Sequence, residues 1–536
     1  MHKSIYACLL LAVLCGCAGG SDSGTDIPLP GDYDGYDGAG GPVMFRACME
    51  TKAEPLPPAP LPEFHTEEYD RIDDAGFRSP RVSPLSTFSI DVDTASYSNA
   101  RRFINESALP PRDAVRIEEF VNYFTYDYPE PEGEQPFSVT AEVSSCPWNP
   151  GHRLALIGLQ GRKVKTADLP DSNLVFLLDV SGSMDSPKKL PLLKQAFRLL
   201  VEQLGPRDRV SVVVYAGAAG TVLPSTAGDR KERILAAVDD LEAGGSTAGG
   251  EGIVLAYQTA RENFIEGGNN RVILATDGDF NVGVSSDAEL SRLIEQERED
   301  GIFLTVLGFG SGNLKDSKME ALADRGNGNY AYIDGVLEAK KVLVNELGGT
   351  LLTIAKDVKI QVEFNPARVK GYRLIGYVNR MLAAEDFADD RKDAGELGAG
   401  HTVTALYEII PAGADEEVPG TDELKYQTAA VSEEGIESGE LMTLKLRYKL
   451  PEGSESILIS LPVDDDPVVL EQAPPAFRFA AAVAEFGLLL RDSEFKGEAS
   501  YDQVLELARG AKGEDPEGYR SEFIRLVEAA QILAKK

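Results

Sequence analysis

The sequence predicts an α/β chain: a doubly wound, mostly parallel sheet inserted in or flanked by a β-sandwich, with small helical N- and C-terminal parts. Three observations predict it. Residues 166–350 alternate strand-like and helix-like segments, with continuous apolar runs such as Leu174-Val-Phe-Leu-Leu178; such runs suit strands buried on both faces of a parallel sheet. Residues 351–465 instead alternate apolar and polar side chains, as in Val358-Lys-Ile-Gln-Val-Glu-Phe364 and Met442-Thr-Leu-Lys-Leu-Arg-Tyr448, the pattern of half-buried strands. The strand-like stretches within 135–160 are too few to form a sheet of their own. They are expected to join the later strands in one sandwich, with the α/β part inserted between them.

Residues 1–16 read as an export signal. His2 and Lys3 precede an apolar stretch, Ile5 to Leu14, shorter than the roughly 20 residues a membrane span needs. It ends in Leu14-Cys15-Gly16-Cys17, which resembles the bacterial lipobox. That resemblance implies cleavage before Cys17, acylation of Cys17, and a lipid anchor in the bacterial cell envelope. The simpler alternative is an ordinary signal peptide with an incidental Cys. Ala18 stands where Asp favours inner-membrane retention, so the resemblance favours the outer membrane.

Residues 17–80 are expected to form a lipidated flexible tether. They contain Gly31-Asp-Tyr-Asp-Gly-Tyr-Asp-Gly-Ala-Gly-Gly41 and Pro55-Leu-Pro-Pro-Ala-Pro-Leu-Pro62, compositions that cannot build a core. The Asp/Gly run lacks the ligand spacing and flanking helices of a calcium loop. Of five cysteines, Cys8 and Cys15 leave with the signal and Cys17 carries lipid. Cys48 and Cys146 remain in an oxidising compartment and are a candidate disulfide pair.

Residues 81–165 begin the folded body. Strands are expected at Ser86–Asp91, Phe137–Val143 and Arg153–Leu159, and helices at Thr94–Ser107 and Asp113–Phe124. Asp91-Val-Asp93-Thr94 is similar to the aspartyl loop of haloacid-dehalogenase phosphatases. That motif wants Thr or Val where Ala95 stands, so a helix N-cap role for Asp93 or Thr94 is expected instead. Trp148 beside Cys146 is assigned to core packing.

Within 166–350 the expected strands are Asn173–Asp179, Arg209–Tyr215, Val272–Asp277 and Phe303–Phe309, with a short edge at Gly220–Pro224. Helices are expected at Leu190–Leu204, Asp229–Leu241, Glu251–Phe264, Asp287–Asp300 and Lys315–Arg325. Residues 351–472 form the sandwich and 473–536 a helical region, amphipathic at Tyr519–Leu533. Arg520, Glu522, Arg525 and Glu528 are assigned to a solvated face of that last helix.

The net charge of the 536-residue chain is −34, which argues against nucleic acid, since phosphate binding needs clustered cations. The most informative residues lie at three segment ends: Asp179-Val-Ser181-Gly-Ser183, Thr247 within Gly244-Gly-Ser-Thr-Ala-Gly-Gly250, and Asp277 within Ala275-Thr-Asp-Gly-Asp279. In a doubly wound sheet such ends converge beyond the carboxyl edge, where ligands bind. Two carboxylates and three hydroxyls make an all-oxygen set suited to Mg²⁺, then Mn²⁺ or Ca²⁺. The neutral hydroxyls leave such an ion under-neutralised and ready to take an oxygen from outside. Catalysis is not expected. The serines lie in no Gly-x-Ser-x-Gly, the glycine-rich loop lacks the Lys of a phosphate loop, and His65, His152 and His401 are far apart in sequence.

Asp-x-Ser-x-Ser after a buried strand, then Gly-Ser-Thr, then Thr-Asp-Gly, resembles the von Willebrand factor A family and its metal-ion-dependent adhesion site. The resemblance implies that Ser181, Ser183 and Thr247 bind the metal, with Asp179 and Asp277 binding directly or through water. Ser86-Thr-Phe-Ser-Ile-Asp-Val-Asp-Thr94, Asp393-Ala-Gly-Glu-Leu-Gly-Ala-Gly-His401 and Gly513-Glu-Asp-Pro-Glu-Gly-Tyr-Arg-Ser-Glu-Phe-Ile524 extend the likeness. They resemble a bacterial lipoprotein family with a von Willebrand A domain between an N-terminal family-specific segment and a C-terminal domain of unknown function. The expected function is capture of a protein partner whose Asp or Glu completes the coordination of the ion. The alternative is a scaffold for an envelope or transport assembly, in which the metal only stabilises the fold.

Overall fold

A computed structural model describes residues 67–165, 168–245, 249–278, 280, 287–419 and 431–535. Cys17, Cys48, Thr247 and Asp279 lie outside them. In chain order the strands are β1 (Leu85–Ser89), β2 (Phe137–Cys146), β3 (Asn149–Gly161), β4 (Ser172–Asp179), β5 (Arg209–Tyr215), β6 (Ala219–Ala227), β7 (Asn269–Thr276), β8 (Ile302–Phe309), β9 (Tyr330–Ile333), β10 (Thr353–Phe364), β11 (Val369–Ile375), β12 (Gly395–Gly398), β13 (Thr402–Pro411), β14 (Glu440–Lys449) and β15 (Ile457–Asp464).

The central sheet has the order β6-β5-β4-β7-β8-β9. Only the β5–β6 pair is antiparallel. Every residue of β4 and β7 is buried, because helices cover both faces. On one side Leu190–Gln203 and Lys231–Asp239 pack against Leu174, Phe176 and Leu178; on the other Gly249–Glu262 and Asp287–Glu299 pack against Val175 and Leu177. The chain leaves β4 toward β5 and later returns on the other side of β4 as β7. That places the topological switch at the carboxyl end of β4.

The expected sandwich is present, and it draws on both sides of the α/β domain. One sheet runs β11-β13-β3-β2, and the other β1-β10-β14-β15 with β12 against β10. Their shared interior includes Phe88, Ile157, Ile360, Tyr407 and Leu444. The outer face of the first sheet supports a helical layer. Ala95–Asn105 and Ile117–Asn122 join Pro475–Leu490, Tyr501–Gly510 and Tyr519–Leu533 around Phe120, Phe124, Phe479 and Phe523.

Several local expectations are corrected. Asp113–Phe124 is not one helix: a 3₁₀ turn at Arg112–Ala114 precedes a helix at Ile117–Asn122, and Arg116 between them is extended. Its guanidinium turns inward to Glu119 and Asp316. Neither Asp93 nor Thr94 caps the helix Ala95–Asn105 with its side chain. Glu119 accepts from Ser96 N at 2.7 Å instead, while Asp93 accepts from Tyr330 N at 2.8 Å. Residues 67–80, placed in the tether by composition, lie against the body: Arg78 exchanges backbone hydrogen bonds with Tyr372, and Arg491 bonds Ile72 O and Asp74. Arg520 and Glu522 are not a solvated face. Arg520 stacks over Phe479, and Glu522 meets the buried Arg101 at 2.9 Å. Trp148 is fully buried, as expected, and donates to Glu408. Cys146 is buried and has no disulfide partner among the described residues; burial pushes its thiol well above the ordinary pKa.

Candidate functional site

The site grows out of two neighbouring parallel strands. β4 ends at Asp179 and β7 at Thr276, and their register sets Leu178 beside Ala275. Asp179 and Asp277 are therefore both brought to the carboxyl edge of the sheet, and both are fully buried.

The loop after β4 folds on its own side chains. Asp179 Oδ1 accepts from Ser181 N at 2.8 Å, and the hydroxyls of Ser181 and Ser183 lie 2.9 Å apart. Ser181 is buried while Ser183 is exposed, so the cluster has one face to solvent. Gly244 N donates to Val180 O at 2.8 Å and Gly182 N to Gly245 O at 3.1 Å. These two bonds bring the glycine-rich loop against the serine loop. After Asp277, Gly278 has φ +106°, and an added Cβ would stand 2.7 Å from Asn313 O and Lys315 N. Only glycine fits there, and that lets the segment after β7 press against residues 313–315.

The electrostatics divide the two carboxylates. Burial pushes Asp179 up to about 6; bonds from Ser181 and Tyr215 oppose that rise, and nearby Asp277 adds to it. Tyr215 OH donates to Asp179 Oδ2 at 3.1 Å, with Thr276 Oγ1 at 3.4 Å. Burial acts on Asp277 in the same sense, but the Lys189 ammonium outweighs it, with help from Asn313 and Ser183, and holds the carboxyl below its usual range. Lys189 Nζ is 2.8 Å from Asp277 Oδ2 and 3.3 Å from Asn313 Oδ1.

Of the five residues singled out in the sequence, four come together: Asp179, Ser181, Ser183 and Asp277. Thr247 lies outside the described residues, two positions beyond Gly245. Lys189, Tyr215, Thr276 and Asn313 were missed. Lys189 had no distinguishing signal, because it follows Lys188 at the start of a helix and resembles a solvated charge until the fold buries it. Among the described residues, no group of three or more His, Cys, Asp or Glu converges to hold a metal. The donors here are two carboxylates with hydroxyls.

Residues 173–343 match the von Willebrand factor type A domain family, residues 63–156 a von Willebrand factor family, and residues 349–533 the C-terminal domain of the uncharacterized protein YfbK. Over 472 residues the chain is 45% identical to "Uncharacterized protein YfbK" of Escherichia coli, covering 87% of this chain and 81% of that protein. The chain belongs to the YfbK family. Other relatives share only part of this YfbK-family chain. Inter-alpha-trypsin inhibitor heavy chain H4 of Homo sapiens is 30% identical over 26% of this chain and 16% of its own length. A solved "von Willebrand factor type A" protein from Catenulispora acidiphila is 14% identical, with a TM-score of 0.40, covering 73% of this chain and 89% of that one. As a YfbK-family protein, the chain is a bacterial von Willebrand A protein. Among its described residues no helix is long and apolar enough to cross a membrane.

Proposed function

We propose that this protein is an envelope lipoprotein that captures a protein partner through a divalent cation. Asp179, Ser181, Ser183, Thr247 and Asp277 would hold the ion, Mg²⁺ first and Mn²⁺ or Ca²⁺ next, and an Asp or Glu of the partner would complete its coordination. The bound ion would supply a local positive charge on a strongly negative body. Acylation at Cys17 would hold the protein at the membrane, the outer one if the envelope has two.

One observation carries the proposal. Two carboxylates are buried at the ends of adjacent parallel strands, beside paired serine hydroxyls of which one is open to solvent. The donor set fits a hard cation. All its atoms are oxygens, and Asp179 bears a charge that its surroundings resist, which a cation would relieve. Partner binding accords with the membership in a von Willebrand A family, where an interaction or scaffold role is the common expectation.

Titration calorimetry with Mg²⁺ tests the reading. The expected result is weak binding to the wild type, loss in Asp179→Asn, and EDTA-sensitive crosslinking of a protein partner in intact cells. Tight binding of Mg²⁺ alone, with a large rise in melting temperature and partner capture unchanged in EDTA, would instead favour the scaffold. Cys17→Ser is expected to move the protein from the membrane fraction to the soluble fraction.

A further inference from the structure

Lys189 is nearly as buried as the carboxylate it meets. Its side chain is 10% exposed, and that of Asp277 is 0% exposed. Its backbone is anchored from both directions: Lys189 N donates to Ser186 O at 3.0 Å, and Leu193 N donates to Lys189 O at 2.8 Å. Its stem packs closely against Gly310. Gly310 has φ +75°, and an added Cβ would fall 2.5 Å from Lys189 Cγ and closer still to Cε. Asn313 accepts from the same ammonium. This lysine is therefore fixed in place, and its charge is part of the site.

We propose that Lys189 is a resident counter-charge that keeps an ion at this site from being satisfied by the chain's own carboxylates, so that full affinity depends on an acidic partner. The inference deepens the metal-binding reading above and rests on it. Among the described charged groups at the site, Asp179 and Asp277 carry two negative charges and Lys189 one positive. Without Lys189, the two carboxylates would balance a divalent cation in formal charge, so the hydroxyls alone do not leave it under-neutralised as the sequence suggests. With Lys189, one positive unit remains in excess, in a setting where a charge is poorly screened. That excess weakens the binding of the ion alone. It also rewards an added carboxylate, which a neutral centre would not do. By reciprocity, the partner's acid must strengthen the ion's binding by the same factor. Lys189 is thus a positioning and charge-setting residue, distinct from the five candidate ligands.

The test uses the full-length protein and Mg²⁺, with glutarate as the carboxylate probe. Lys189→Gln keeps a hydrogen-bond donor toward Asp277 and removes the charge; Lys189→Met removes both. For each, calorimetry measures Mg²⁺ affinity with and without glutarate, and urea unfolding of the metal-free protein establishes that it is folded. The expected result is Mg²⁺ binding tightened roughly 10- to 100-fold in Lys189→Gln, with the strengthening by glutarate seen in the wild type lost. Lys189→Met should behave alike if folded, and Lys189→Gln decides the matter if it is not. Equal Mg²⁺ affinity and equal glutarate coupling in wild type and Lys189→Gln overturn the role of Lys189 while leaving the metal reading intact. No Mg²⁺ binding by the wild type at millimolar concentration overturns both.

Discussion

At the junction between the helical layer, the sandwich and the α/β domain, buried arginines are surrounded by acids. Arg101 meets Asp334, Glu338 and Glu522, Arg116 meets Glu119, Asp316 and Glu320, and Arg380 meets Asp91, Asp93 and Asp324. At the carboxyl edge of the central sheet, one buried carboxylate, Asp277, meets Lys189, and the other, Asp179, accepts from Ser181 N and Tyr215 OH. Both regions bury charge, by different means. The junction spends its acids on cations that tie separate chain segments together. The strand ends pair Asp277 with a single ammonium and leave Asp179 beside neutral donors, with an opening to solvent at Ser183. A buried ion pair is weak support for net stability, yet breaking one is costly. The junction should therefore be sensitive to loss of any partner, and the strand ends sensitive in binding more than in folding.

The largest expected effect comes from breaking the junction. Arg116→Met leaves Glu119, Asp316 and Glu320 without their shared guanidinium and should cost about 3–5 kcal/mol, measured by urea unfolding. A smaller effect of opposite sign should follow at Glu485, which sharpens the comparison as a buried acid with no cation partner among the described residues. Burial pushes it up to about 8, one backbone N–H from Ser500 partly opposing that, and its Oε2 has no hydrogen-bond partner among the described residues. A carboxyl whose folded pKa is raised favours the protonated fold, so its burden grows as pH rises from about 4.3 through 8. Glu485→Gln should stabilise by about 1–3 kcal/mol at pH 8 and flatten that slope. Asp179→Asn at the strand ends should change metal-free stability by about 1 kcal/mol or less, while abolishing Mg²⁺ binding. A loss as large as that of Arg116→Met would erase the contrast.

The smallest expected effect is at His152, held between Glu408 and Glu416 at 2.6 Å each. Burial lowers its pKa, but the two carboxylates outweigh burial and raise it. The stability it contributes is full below about 6.5 and is lost as pH rises through the higher folded value. His152→Gln should remove that component from the pH dependence of the melting temperature.

How much of this was legible in the sequence follows the same division. The central sheet was readable because its strands are unbroken apolar runs, as in β4, and its site was readable because Asp179, Ser181, Ser183 and Asp277 follow those strands directly. β11 was not, because its buried face carries Arg373, which pairs with Glu408 directly across in β13. A satisfied ion pair between strands breaks the apolar alternation that marks a strand. β9 spans only Tyr330–Ile333, too short for periodicity to register. The junction was invisible for a similar reason. Arg101, Arg116 and Glu522 look like surface charges on amphipathic helices, and each has a partner 200 or more residues away in sequence. Local pattern reports what a segment wants from water, and not which distant charge will replace it.

The placement of the α/β domain inside the sandwich has a consequence for how the chain is made. At Gly161 it departs from β3, and at Leu352 it comes back, with Gly161 N bonded to His401 O and Ala399 N to Leu352 O, each at 2.8 Å. During synthesis β3 has β2 on one flank, while its other neighbour, β13, is translated only after roughly 240 further residues, about 12–48 s at ordinary elongation rates. The α/β domain has all its own strands by then and can fold first, leaving the earlier hairpin with a bare edge until the carboxyl-terminal quarter arrives. A nascent chain stalled before residue 402 should accordingly hold a protease-resistant centre and a digestible beginning.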